Sequence, residues 1–318
     1  MASARLARRA AVVMLPTALL LALVAGLLSI AAGDADAGSS AASSARRAAP
    51  EPREMTKLRV VDHNIQRRSD ALNRAIGKAR STRAQIITLQ EVCWWQLKQL
   101  RARHPRWSFA WQVDRDAPWC ERVDRSNPVN PQTRSAQGNV VISTGGHGKA
   151  RARYFDDQLN RGRRQGMACL TWQNAGVVRH ACSLHLISGG DQRRDQLRTR
   201  QAREVYRTTH RWIRHGDLVV LGGDFNASPH RPALDYLYRY RGRGGFREAT
   251  PRHVGGNRDC RCSSTTFDGG RTKIDYIFFS ANRMAARAAR QLLVYPTGSD
   301  HHLLVGWALI DTRPLPRS

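Results

Sequence analysis

The stretch Leu218-Val219-Val220-Leu221-Gly222-Gly223-Asp224-Phe225-Asn226 constrains the chain more than any other. Its consecutive apolar residues leave no polar face, so a strand there must be covered on both sides. The paired glycines read as the end of that strand, and Asp224 and Asn226 follow on alternate positions. Alternate side chains at a strand end project the same way, so Asp224 and Asn226 are expected to aim at one spot. Oxygens placed like this suit a hard cation such as Mg²⁺ or Ca²⁺. A plain Asx turn uses the same residue types, so the rest of the chain has to decide between the two.

Further strand-like runs are Leu58–Asn64, Ile86–Gln90 ending in Glu91, Val140–Ser143, Thr265–Asp268, Ile274–Phe279, Leu292–Tyr295 and His302–Leu309. Met167–His185 reads as a hairpin around Asn174-Ala175-Gly176, and Gly269-Gly270 as a join between the runs on either side. Helical spacing predicts helices over Ser69–Ala84, Trp94–His104, Asp191–Arg214 and Pro232–Tyr240. Strands alternate first with helices and later with hairpins. That order predicts an α/β fold with mixed sheets, not a purely parallel one.

The N-terminus reads as an export signal. Arg5, Arg8 and Arg9 precede an apolar run over Ala10–Ala32, and Ala35-Asp36-Ala37 offers a small-residue cleavage site. The run is long enough that an uncleaved membrane anchor is the alternative. The expected organisation is a signal peptide over 1–37, an Ala/Ser/Pro/Arg linker over 38–55 and one domain over 56–318. The chain carries 52 Lys+Arg against 25 Asp+Glu, a net charge of +27. Cleavage after Ala37 would remove three arginines and two aspartates and leave +26. Such a field attracts polyanions, nucleic acid or anionic lipid; abundant surface arginine is the plainer account. No obligate protein partner is evident, and a monomer is expected.

Six cysteines in an exported chain read as disulfides. Proximity suggests Cys93–Cys120, Cys169–Cys182 across the hairpin, and Cys260–Cys262. The spacing gives little support to a zinc site.

Polar residues recur beside the apolar strands: Asn64, Glu91, His185, Asp224 with Asn226, Asp275, and Asp300 with His301. The set Asn64, Leu89-Gln90-Glu91, Ser183-Leu184-His185, Gly223-Asp224-Phe225-Asn226, Lys273-Ile274-Asp275 and Ser299-Asp300-His301 resembles the endonuclease/exonuclease/phosphatase superfamily of deoxyribonuclease I-like proteins, in that family's order. The resemblance spans roughly Lys57 to Ile310. It implies a four-layered α/β sandwich, two mixed β-sheets face to face with helices outside. It also implies a divalent cation, Mg²⁺ with Ca²⁺ or Mn²⁺ as alternatives, held by Glu91 and Asp300 with Asn64 in or behind the ligand set. By the same resemblance Asp224 would orient or deprotonate water, and Asn226 would hold a phosphate oxygen or a metal ligand. His301 would act as acid, base or cationic clamp with Asp275 as its partner, and His185 would donate to the phosphate. Departures from the family's pattern are His302 directly after His301, and Asp62 and His63 before Asn64. No acid with a surrounding motif supports His185; Asp156 and Asp157 lack one.

The leading expectation is a secreted metal-dependent phosphodiesterase, a non-specific nuclease. Arg163 and Arg164 are the substrate-binding candidates, with Arg161, Arg193, Arg194, Arg241 and Arg243 as further phosphate contacts. The alternatives are a sphingomyelinase-like or inositol-phosphate phosphoesterase, and a catalytically inactive polyanion-binding module.

Overall fold

The structure, a computed structural model, describes residues 55–120, 135–146, 148–156, 164–250, 261, 265–267, 271–284 and 290–313. These residues form two six-stranded sheets. In chain order the strands are β1 (Met55–Asn64), β2 (Ile86–Cys93), β3 (Ser108–Asp116), β4 (Ala136–Ser143), β5 (Lys149–Tyr154), β6 (Gly166–Asn174), β7 (Val177–His185), β8 (Leu218–Asp224), β9 (Phe246–Glu248), β10 (Asp275–Ser280), β11 (Arg290–Tyr295) and β12 (Leu303–Asp311). The helices are α1 (Ser69–Thr82), α2 (Trp94–Arg103), α3 (Gln192–Arg214) and the short α4 (Pro232–Asp235).

The first sheet has the order β11-β12-β1-β2-β4-β3 and the second β5-β6-β7-β8-β10-β9. Each contains one parallel pair, β1 with β2 and β7 with β8, and antiparallel strands elsewhere. A parallel pair needs a crossover; α1 supplies it in the first sheet and α3 in the second. Both sheets are therefore mixed, as the order of elements predicts.

Side-chain alternation builds the layers. Leu218 and Val220 of β8 meet Val60 and Ile86 of the first sheet in the core between the sheets. Val219 and Leu221 face the other way, against Ala202 and Val205 of α3. On the outer face of the first sheet, Val61, Ile87 and Leu89 pack on Ala75 and Ile76 of α1 and Leu97 of α2. β8 is thus buried on both faces, which accounts for its unbroken apolar run. The result is the expected four-layered sandwich.

Gly222 and Gly223 do not end β8; the strand runs on through them to Asp224. They are a packing requirement instead. A Cβ on Gly222 would lie 2.1 Å from Thr88 Oγ1 and 3.2 Å from Asp62 Oδ1, both on the opposite sheet. The predicted Pro232–Tyr240 helix stops at Asp235. Tyr238 then bridges to Phe246 and the Arg239 amide donates to the Phe246 carbonyl, so strand-like pairing takes over. The Thr265–Asp268 run contributes only isolated bridges of Phe267 to Thr272 and His301 among its described residues. β3, β5 and β9 carry no clear pattern in the sequence. They are three of the four edge strands, where half the pairing is missing and charged residues are tolerated.

The Cys93–Cys120 and Cys169–Cys182 disulfides form as proximity suggests. The second joins directly opposed residues of β6 and β7. The signal peptide, most of the linker, Cys260 with Cys262, Asp157, Arg161, Arg163 and Gly269 with Gly270 lie outside the described residues.

Substituting Gly222→Ala is expected to cost roughly 1–3 kcal/mol through overpacking against Thr88, read as a lower urea midpoint with an unchanged m-value. Removing both Cys169 and Cys182 by alanine substitution should cost about 3 kcal/mol, since a cross-link of this span restricts the unfolded chain by that order. Equilibrium unfolding of the double variant checks it.

Candidate active site

Asn64, His185 and Asp224 are each the last residue of their strands, β1, β7 and β8. Asp275 is the first residue of β10 and pairs directly with Asp224. His185 pairs with Asp224 across the parallel ladder. The carboxyl ends of both parallel pairs thus abut, the usual place for sites in such sheets. A cleft of about 200 Å³ opens there, lined in part by Glu91, Asp114, Arg115, Gln165, His185, Asp224, Asn226, Phe267, Asp300 and His301.

His301 is the hub. Its Nδ1 lies 3.0 Å from each carboxylate oxygen of Asp275, so Nδ1–H donates to Asp275. The resemblance predicts this pairing, and the contact forms. Its Nε2 is 3.6 Å from Asp224 Oδ2 and 3.8 Å from Asp300 Oδ1. The Asn64 amide nitrogen donates to Asp224 Oδ2 at 3.2 Å and stands 3.4 Å from His301 Nε2. His185 Nε2 is 3.3 Å from the same Asp224 oxygen. Burial of the His301 ring disfavours its charge, but the carboxylates of Asp275 and Asp224 outweigh that and push its pKa up to about 10. Burial raises the Asp275 pKa, and the adjacent His301 pulls it back.

His302 points away; its ring nitrogen lies 3.3 Å from the Thr265 carbonyl. The choice of His301 over His302 therefore has a geometric basis. His63 is buried and bonded to the Thr297 hydroxyl at 3.2 Å, which donates in turn to the His301 carbonyl. Burial, with His301 and His302 nearby, lowers the His63 pKa to about 3. Asp62 is a buried carboxyl accepting from Thr88 at 2.7 Å and Gln90 at 3.0 Å. Burial and the nearby Asp275 raise its pKa well above the usual carboxylate range.

Glu91 reaches the cleft through a local irregularity. Pairing of β2 with β4 shifts register between Leu89 and Val92, and Glu91 has a φ of 55°. A bulge of this kind re-aims a side chain at a sheet end. The Glu91 carboxylate bonds to the Arg67 guanidinium and lies 3.9 Å from that of Arg115. Residues 66 and 67 also have positive φ. They are held by hydrogen bonds in which the Gln66 backbone N–H donates to Asn64 Oδ1 at 3.1 Å and the Arg67 backbone N–H donates to the Glu91 carbonyl at 3.1 Å. The Gln66 side chain then reaches Asp300 at 3.0 Å. One short segment after Asn64 therefore touches both candidate metal ligands.

Asn226 shares the cleft with Asp224, though not by strand alternation. It has left the strand with a φ of 49°, its amide N–H returns to Asp224 Oδ1 at 2.9 Å, and its side-chain nitrogen donates to the Leu186 carbonyl at 3.0 Å. Arg164 is not brought to the cleft; its guanidinium stacks over the Tyr154 ring at 4.1 Å. Arg194 is engaged by Asp191, and Arg241 and Arg243 lie over Tyr240 and Tyr236. Sequence reading missed Arg67, Arg115 and Gln66. The Arg67-Arg68 pair just after Asn64 was an available signal for the first.

Asp224, Asp275 and His301 present ligand atoms within 4.8 Å of one another. Within that cluster the His301 imidazole is hydrogen-bonded to Asp275 and faces Asp224, so it reads as a hydrogen-bonded triad. Glu91 and Asp300 fit a hard divalent cation better. Both are oxygen donors facing the cleft, and their present partners are cationic or hydrogen-bonding side chains.

The endonuclease/exonuclease/phosphatase family model matches residues 63–301, and the chain belongs to that family. Solved structures share the fold. The human nocturnin catalytic domain with bound sulfate is 16% identical, at a TM-score of 0.57 over 81% of this chain and 97% of its own. D. rerio TDP2 complexed with a single strand DNA product is 14% identical, at 0.57 over 80% and 99%. A Bacteroides vulgatus protein of the family is 15% identical, at 0.57 over 80% and 99%. A search of curated proteins finds no match.

In the metal-free protein, the His301 ring should stay charged from about pH 5 to about pH 8, where an ordinary histidine titrates. Asp275→Asn should bring its titration down toward 6.5, read by NMR of the ring protons. A raised folded-state pKa stabilises the fold fully below the unfolded value of 6.5, and that contribution is lost as pH rises through about 10.

Proposed function

We propose that this protein is an exported, divalent-metal-dependent phosphodiesterase that hydrolyses nucleic acid without sequence preference. The observation that carries the reading is the Asp275–His301–Asp224 constellation, with Asn64 and His185 both set on Asp224. An enzyme cutting an anionic diester needs an oriented water and donors for the phosphate oxygens. Asp224 Oδ2, held by Asn64 and facing two imidazoles, is suited to orient and deprotonate that water. His301, kept as a donor by Asp275, is suited to grip a non-bridging phosphate oxygen. His185 offers a further donor from the opposite side of Asp224, and Asn226 lines the same cleft. Glu91 and Asp300 would hold the cation, which supplies charge neutralisation at the phosphate when bound. The net charge of +27 and the single strand DNA product in the TDP2 relative's structure favour nucleic acid over other diesters.

The test is to incubate the protein lacking residues 1–37 with plasmid DNA, total RNA and sphingomyelin, in Mg²⁺, Ca²⁺ or EDTA. Nucleic acid should be degraded with a divalent ion and spared in EDTA. Asp224→Asn and His301→Ala should each lower turnover by about 10²- to 10⁴-fold, the range for losing a positioned acid or base. Glu91→Ala should raise the metal concentration needed. Release of the lipid head group with intact DNA and RNA would overturn the substrate assignment; no turnover with any metal would point to an inactive binding module.

A further inference from the structure

Trp119 is 60% exposed, the most exposed large apolar side chain among the described residues. It stands in a 3₁₀ turn, Pro118–Cys120, whose last residue is disulfide-bonded to Cys93, two positions after Glu91. Its indole N–H donates to Gln137 Oε1 at 3.3 Å, and the same oxygen lies 3.4 Å from the Arg67 guanidinium. Guanidinium carbons of Arg67 and Arg115 are 5.3 and 5.7 Å from the ring centroid. Both arginines also lie on Glu91 at the cleft. A large aromatic ring is thus anchored at its edge, tied by a covalent bridge, left open to solvent and met by two guanidinium groups that also reach Glu91 at the cleft.

From this we propose, building on the nuclease reading, that Trp119 is a stacking platform for an unpaired nucleobase next to the phosphate being cut. Arg67 and Arg115 contact the adjoining backbone. Any base has a π-face, so such a platform is sequence-tolerant. In an intact duplex both faces of each internal base are already stacked, and exposing one costs a few kcal/mol. The platform therefore selects single strands, frayed ends and flaps over continuous duplex. A membrane anchor fits the surroundings less well, since it needs a continuous apolar surface. Here Ala117 and Cys120 are buried, and Arg115 and the exposed Asp116 stand close by in the chain.

The experiment measures binding of short fluorescein-labelled oligonucleotides to Asp224→Asn protein by anisotropy in Mg²⁺. Adding Trp119→Ala should weaken single-strand binding about tenfold, within the range for losing one base–aromatic stack. Trp119→Phe should keep most of the affinity, and binding to a closed hairpin duplex should be unchanged by either. Replacing the bases of the single strand with abasic residues should cost the same as Trp119→Ala, and the two losses should not add. Equal melting curves for the Trp119 variants and their parent exclude unfolding as the cause. Equal losses on single strand and duplex, additive losses, or no loss would overturn the platform while leaving the nuclease assignment intact. Failure to bind or cut any nucleic acid, with Trp119-dependent binding to phosphatidylserine vesicles, would overturn both.

Discussion

The hydrogen bond from Asn64 to Asp224 spans 160 residues of sequence and joins the two sheets at the floor of the cleft. Everything chemical in the molecule depends on the sheets approaching closely enough at that end for it to form. Gly222 permits the approach by presenting no side chain to Thr88 and Asp62. Farther from the cleft the sheets are held by apolar packing. Near it they are held by buried polar contacts, with Gln90 donating to Ser183 at 3.0 Å and Ser183 to the Leu89 carbonyl at 2.9 Å. An unpaired polar group in such a place is costly, so these bonds fix the relative position of the two strand sets.

Three buried carboxyls, Asp62, Asp224 and Asp275, crowd this region, and like charges so close cannot all ionise cheaply. The arrangement relieves the crowding in two ways. Burial and Asp275 raise the Asp62 pKa, which favours its neutral form, and His301 brings a positive charge between Asp224 and Asp275. The same economy governs the rim, where Arg67 and Arg115 lie on Glu91. If Glu91 holds a divalent cation as proposed, the guanidinium groups of Arg67 and Arg115 would have to yield to it, and an anionic substrate would offer them another partner. On that proposal, metal and substrate binding would be electrostatically linked through Glu91.

Much of the plan was legible in the chain because it is written in local periodicity. Val219 and Leu221 face one layer and Leu218 and Val220 the other, which an unbroken apolar run announces. The polar residues at strand ends stood out against such runs, and the order of motifs tied them to one family. Other elements left little local trace. β5, Lys149–Tyr154, alternates alanine with basic residues, and only pairing with β6 makes it a strand. The residues after Asp235 had helical composition, yet pairing of Tyr238 and Arg239 with Phe246 drew them away.

By itself the sequence determined the alternating elements, the double burial of β8 and the set of acids, amides and imidazoles available for chemistry, since residue type and spacing act within a few positions along the chain. Only the tertiary structure decided which way those groups face. The aim of Glu91 comes from a bulge against β4, the role of Gly222 from the opposite sheet, and the choice of His301 over His302 from where Asp275 happens to lie. The same holds for Trp119, which a sequence shows as one of eight tryptophans. Its neighbours in space come from three separate segments, and contacts between distant segments obey the packing of the whole domain.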